Sequence, residues 1–427
     1  MSVRTFRGMP LALALLLAWP IAAAAQGEVH LDVKSGLANR LALRCLAFAT
    51  AGDRDAAAGA VQADEVLATD LENSAVFTVS RGWIEGAATT DPQAEVAGTW
   101  KLSGSQVTLS GEVHDWPGKK PIFVQEYRGA AADWRALVHH FADDIVMQFT
   151  GEPGVASTRI AFIVQDGRDK NLWVMDADGA NARPLTQEHS IAQSPSWSPD
   201  GSLILYTSWR GGNGPQLWVI SPQQAKPFLV SGRPGLNASG VYSPDGRSIA
   251  CTLSQDGNAE SYQLDARGGS PVRLTDNRAI DTSPCYSPTG REIAFTSDRS
   301  GTPQVHVMDA DGGNVRRLTY DLNYTDSPAW SPKGDRIAFV SRTDSGFDIW
   351  MCRPDGSGSM RVVEGGANEN PRWSPDGRHL VFTSDRDGRR ALWITDLDGG
   401  PPRKLDTGGR IALSPAWSPR SGPASPH

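Results

Sequence analysis

The chain has 427 residues, too many for one ordinary core, so two domains or a repeat array are expected. Apolar residues make up 39% and charged residues 21%, a globular balance, while 44 Gly and 29 Pro point to many turns and to β structure rather than long helices. A formal charge of −7, with Lys and Arg scattered, argues against a nucleic-acid binder.

Residues 1–25 read as a secretory signal peptide. Arg4 and Arg7 precede an apolar run, Leu11 to Trp19, that is too short to span a bilayer, and small residues offer cleavage after Ala25. No Cys follows that site, so no lipid anchor is expected there, and no second apolar run suggests a membrane span. Export permits disulfides. Yet Cys45, Cys251, Cys285 and Cys352 sit singly in different predicted strands, so buried free thiols are expected, with Cys251–Cys285 the leading candidate for a bridge.

Residues 26–152 are expected to form a small two-layer α/β domain. "EVHLDV" alternates as a strand and "ALRCLAFA" reads as another. "VQADEVLATDLEN" predicts a helix leading into the strand "VFTVS"; "AEVAGTWKLS", "QVTLSGEVHDW" and "PIFVQEYRG" predict a meander. A second helix follows, with Trp134, Val138, Phe141, Ile145 and Phe149 on one face and Gly151 to end it. On it His139 and Asp143, and His140 and Asp144, are spaced i, i+4; a solvated or ion-paired helix face is the expectation, a metal site the alternative. "GEPGVAS" reads as a short linker.

From residue 153 to 427 one unit recurs. The aromatic before each Ser-Pro falls at Trp197, Tyr242, Tyr286, Trp330, Trp373 and Trp417, at intervals of 45, 44, 44, 43 and 44. That is the length of a four-stranded propeller blade. In residues 282–319 the first strand ends at Tyr286, "SPTG" turns the chain, and "EIAFTS", "QVHVMD" and "VRRLT" supply the other three. Pro presets φ for the turn, Gly accepts the positive φ that closes it, and Asp caps it. "DADG" and "DLDG" runs make the next hairpin; the EF-hand spacing they suggest is absent. The aromatic is expected to pack where adjacent blades meet.

Residues 158–186 hold strands two to four of a blade without a first, and residues 411–420 hold a first strand with nothing after it. The C-terminal strand is therefore expected to close a six-bladed β-propeller. Strand direction then puts the regular "SPDG" and "DADG" turns on one face and the variable loops on the other, where binding is expected. Ser194, Asn237, Ala238, Ser239, Asp281, Thr282, Ser283, Asp326, Asn368, Glu369, Asn370 and Ser414 would ring the opening on that variable face.

No catalytic motif is present, neither G-x-S-x-G nor a phosphate-binding P-loop nor H-E-x-x-H. His189, His306, His379 and His427 occupy different places in their repeats, so no metal, cofactor or catalytic residue is expected. Two other readings remain. A propeller lyase or glycosidase would need an axial metal or carboxylate pair. The regulatory propeller of a peptidase would need a hydrolase domain with a Ser–His–Asp set.

The repeats together with "VLATDLENSAVF" and "WRALVHHFADDIVMQFTG" resemble the TolB family, periplasmic proteins of the Tol–Pal system, with Ala75 where that family usually has Gly. The resemblance implies a monomeric periplasmic adaptor that supports outer-membrane integrity during cell division. It implies that the propeller mouth binds the peptidoglycan-associated lipoprotein Pal. It also implies that the N-terminal segment, here Glu28, Val29, His30, Leu31, Asp32 and Val33, binds the C-terminal domain of TolA.

Overall fold

The computed structural model describes residues 40–50, 54–82, 91–212, 214–344 and 346–420. The expected signal peptide and the Glu28–Val33 segment lie outside these residues. Among the described residues no helix is long and apolar enough to cross a membrane.

The N-terminal part contains β1 (Leu41–Cys45), β2 (Ala49–Thr50), α1 (Arg54–Asn73), β3 (Phe77–Arg81), β4 (Ala94–Ser103), β5 (Gln106–Asp115), β6 (Pro121–Ala130) and α2 (Trp134–Thr150). Its sheet has the order β3-β1-β4-β5-β6, with β2 beside β4. β1 runs parallel to both neighbours, and β4, β5 and β6 form the expected antiparallel meander. Alternation along β5 buries Val107, Leu109 and Val113 on one face. Against that face α2 lays Val138, Phe141 and Ile145, the stripe its periodicity predicted, with Trp134 and Phe149 at the margin. Gly111 makes this seating possible: a Cβ there would meet the Phe141 ring at 2.3–2.6 Å.

α1 begins seven residues before the predicted Val61, because Ala56 to Ala58 favour helix and carry it through Gly59. Gly59 lies flat against Trp100; a Cβ would sit 3.1 Å from its Nε1. After α1 the chain reverses at Ala75, which holds a left-handed φ of 59°, a conformation that costs any residue but glycine. α2 ends as expected: Gly151 has φ 75° and its N–H donates to the Met147 carbonyl at 2.9 Å.

The remainder is a six-bladed propeller of four-stranded antiparallel sheets. Blades 1 to 5 start on the inner strands Ala192–Trp197, Asn237–Tyr242, Asp281–Tyr286, Thr325–Trp330 and Glu369–Trp373. Blade 6 is composite. Its inner strand Ile411–Trp417 pairs antiparallel with Arg159–Asp166, in the register Ile411↔Gln165 to Trp417↔Ile160. The C-terminal strand thus closes the ring as the sequence predicts.

The turns explain their own repetition. In blade 1 the Asp200 carboxylate accepts from Ser198 Oγ (2.5 Å) and from the Ser202 amide (3.1 Å), and Gly201 takes φ 68°. These bonds, led by the Ser198 hydroxyl, hold Asp200 below the usual carboxylate range. Where Thr289 replaces the Asp, its hydroxyl meets Ser287 Oγ at 3.2 Å. Where Lys333 does, Asp335 takes over and accepts from Ser331 Oγ at 2.9 Å. The aromatics pack between blades: Trp197 Nε1 donates to Ala416 O at 3.0 Å and Trp373 Nε1 to Ala329 O at 2.8 Å, each in the preceding blade. All four cysteines are free, Cys251 and Cys285 included.

"GEPGVAS" is bound down rather than loose. Asp143 accepts from the amides of Ala156 (2.7 Å) and Ser157 (3.0 Å) and from Ser157 Oγ (2.5 Å). This corrects the i, i+4 expectation, since Asp143 serves the connection and His139 Nδ1 meets Asp70 at 2.6 Å instead. Asp144 likewise accepts from Tyr127 Oη at 2.5 Å rather than pairing with His140. The N-terminal part sits against the regular turns of the propeller. Arg40 grips Asp396 (2.8 Å) and Asp398 (2.6 Å), Arg135 pairs with Asp178, and Glu152 meets Lys333 at 3.1 Å.

Candidate functional site

Each inner strand carries one bulge, where the ladder register slips as the strand passes the axis. The residue at each bulge has a left-handed φ: Ser194 50°, Ser239 52°, Ser283 54°, Ser327 55°, Asn370 54° and Ser414 47°. Small polar side chains tolerate that region by bonding locally, which is why the repeat writes Ser or Asn here. A threonine of the preceding blade steadies several of them. Thr207 Oγ1 accepts from the Ser239 amide (3.3 Å), Thr296 Oγ1 from Ser327 (3.2 Å) and Thr383 Oγ1 from Ser414 (3.0 Å).

The result is a half-buried ring of five serines and one asparagine, of which all but Ser414 line a narrow waist of about 40 Å³. Ser194, Ser239, Ser283, Asn370 and Ser414 belong to it as expected, and Ala238, Thr282, Asp326 and Glu369 are half-buried beside it on the variable-loop side. Ser327 was missed by the sequence reading. It stands before Pro328 at the same repeat register as its five equivalents, and that alignment would have found it.

Asn237, Asp281 and Asn368 correct the expectation that they line the opening. All three are fully buried. Asn237 accepts from Ser231 Oγ (2.7 Å) and the Arg233 amide (3.1 Å), and donates to the Arg233 carbonyl (2.8 Å). Asn368 donates to the carbonyls of Phe347 (2.9 Å) and Gly365 (3.1 Å) and accepts from Arg386 (2.9 Å). Asp281 pairs with Arg299 at 2.8 Å. They brace loops that would otherwise bury unpaired backbone groups.

The carboxylates near the mouth are likewise engaged. Glu369 pairs with Arg390 (3.1 Å), and Asp326 accepts from Thr296 Oγ1 (2.8 Å) and the Ser327 amide (2.6 Å). The mouth is therefore a surface of hydroxyls, amides and carboxylates held by hydrogen bonds or ion pairs. That chemistry suits hydrogen bonding to a polypeptide.

The described propeller histidines stay apart, and His427 lies outside the described residues. Exposed His189 meets Asp169, His306 Nδ1 meets the Gln304 carbonyl, and buried His379 meets Asp396 while stacking on Trp417. One group of metal-ligand type forms at the domain junction, where Asp70, His139 and Asp178 lie within 4.8 Å of one another. Asp178 is there taken by Arg135 and His139 by Asp70. Burial opposes a charged imidazole, but the Asp70 carboxylate outweighs it and raises His139 above its ordinary value. The group works as an ion-pair junction.

Residues 146–421 match the family model described as TolB beta propeller domain. The chain is 39% identical over 296 residues to the "Tol-Pal system protein TolB" of Anaeromyxobacter dehalogenans, covering 66% of this chain and 67% of that protein. It is 39% identical over 183 residues to the "Protein TolB homolog" of Chlorobium chlorochromatii, a match that spans 43% of this chain and 41% of that one. The crystal structure of TolB from Acinetobacter baumannii superimposes with a TM-score of 0.79 at 25% identity, over 92% of this chain and all of that one.

Proposed function

We propose, from the premise that the chain belongs to the TolB beta-propeller family, that it is a periplasmic adaptor which holds two protein partners of a Tol–Pal complex at separate places. A Pal-like lipoprotein docks on the variable-loop mouth, over the ring of left-handed residues. A TolA-like C-terminal domain takes the N-terminal segment Glu28–Val33. The observation that supports this most is the ring itself: six equivalent polar positions on six rigid strands, presented to solvent without a catalytic carboxylate pair or His cluster. Such a surface binds by shape and hydrogen bonds rather than by reacting.

The test is binding of the soluble domain of a Pal-type lipoprotein, measured by calorimetry. Ser283→Arg puts a long side chain into the half-buried ring without touching a core residue. Binding is expected to weaken by at least about tenfold, while the melting temperature falls by no more than about 4 °C, the cost of a long side chain at a left-handed φ. A wild-type protein that does not bind such a domain, or a Ser283→Arg protein that binds it equally well, removes the reading. Deleting residues 28–33 is expected to abolish capture of a TolA-like domain and leave the first interaction in place.

A further inference from the structure

The axis carries a second cavity, on the opposite face. Among the Ser-Pro turns lies a basin of about 350 Å³, walled by the inner-strand aromatics and by prolines such as Pro199, Pro288 and Pro375. No residue of the N-terminal part lines it. Its volume falls at the lower end for a small-molecule pocket, and its walls are the apolar kind such pockets have. The narrow Ser-ringed waist closes it from the other mouth.

At the junction of basin and waist stands Arg372, which lines both. It occupies the position between proline (glycine in one copy) and aromatic, where the other five blades place Ser196, Val241, Cys285, Ala329 and Ala416. Every other copy there is small or neutral, so packing between blades does not require an arginine. Its guanidinium donates to the Pro371 carbonyl at 2.8 Å, and no carboxylate among the described residues forms an ion pair with it. Burial pulls this group below its ordinary value, with Cys285 and Asp326 only partly opposing it. A cation on an apolar floor lacks the anion that would offset its desolvation.

We infer that the basin is a binding site for a small amphipathic carboxylate, its apolar body against the Trp and Pro walls and its carboxylate on Arg372. The acid group supplies the missing counter-charge through a charge-assisted pair, and the aromatic edges receive the rest. This site opens on the face opposite the protein-binding mouth and meets the waist at Arg372.

The experiment uses indole-3-acetate as probe and indole-3-acetamide, of the same shape but neutral, as its control. Calorimetry on the full chain is expected to show the acid binding with Kd below about 1 mM and the amide at least about tenfold more weakly. Arg372→Gln is expected to abolish the difference between acid and amide. Cys285 lines the same basin whereas Cys45, Cys251 and Cys352 are buried, so the acid is expected to slow alkylation of Cys285 by N-ethylmaleimide. Equal binding of acid and amide to the unmodified protein overturns the inference whether or not the variant folds. So does acid binding that leaves Cys285 unprotected. If the tripeptide Ala-Leu-Trp binds as its free acid while indole-3-acetate does not, the occupant is a peptide terminus and the small-molecule reading is overturned.

Discussion

Asn237 shows how a polar side chain beside a binding surface can serve the scaffold. Its amide spans the 231–237 loop, and every hydrogen bond it makes is to that loop or to the Pro215 carbonyl. Truncation would leave the Arg233 amide and carbonyl without their partner in a buried place. Asn237→Ala is therefore expected to cost about 1–3 kcal/mol, read from the shift in urea midpoint at constant slope. A loss below about 0.5 kcal/mol would mean the loop reorganises around the gap. The sequence shows which positions precede an inner strand and that they are polar. It does not show which way they turn, because that depends on carbonyls and amides the loops leave unpaired. Asn237, Asp281 and Asn368 thus read as mouth residues and prove to be braces, while Ser194, Ser239 and Ser283 lie where their repeat register puts them. Arg372 was legible as an odd residue in an aligned column and meaningful only once the column was seen to face the axis.

Elements join through charges on turns. The DLDG turn of blade 5 offers Asp396 and Asp398 to Arg40, just ahead of β1, and Asp396 also accepts from His379 Nδ1 at 2.8 Å. Burial alone would raise Asp396, but His379, Arg403 and Arg40 outweigh it and hold its carboxyl below the ordinary aspartate value. A depressed folded value means the stabilisation is complete above the unfolded value, near pH 4, and is lost as pH falls through the folded one. Asp396→Asn is expected to destabilise the protein by about 1–3 kcal/mol at pH 7. The gap between wild type and variant should hold down to about pH 5 and narrow as pH falls below the unfolded value near pH 4, as seen in denaturation midpoints across that range. A gap that does not narrow at all between about pH 5 and about pH 2 would assign the effect to packing. The hairpin itself was legible from Asp and Gly spacing. Its role as a handle for another domain was not, since the turn at Asp309–Gly312 has the same pattern and keeps its carboxylate bonds local, whereas Asp178 and Asp398 meet Arg135 and Arg40.

The ring as a whole depends on one non-local pairing. Ile411–Trp417 meets a strand begun some 250 positions earlier, and its residues belong to the interfaces on both sides. Leu413 and Ala416 pack toward blade 1, where Trp197 donates to the Ala416 carbonyl. Trp417 packs toward blade 5 with Val381 and Leu392, and its own Nε1 donates to Thr158 Oγ1 at 2.8 Å. Removing this strand exposes the edge of Arg159–Asp166 and uncovers apolar walls of two neighbouring blades. The axial ring also loses Ser414, so both the mouth and the basin open at one side. A protein ending at Arg410 is therefore expected to melt at least about 10 °C lower, in a broader transition, because blades 5, 6 and 1 no longer support one another. Binding at the mouth should be lost with it, at a temperature where circular dichroism still reports β structure in blades 2 to 4. Unchanged melting in the shortened protein would mean that the ring does not need its closing strand, and the rigidity invoked for both axial sites would have to come from elsewhere.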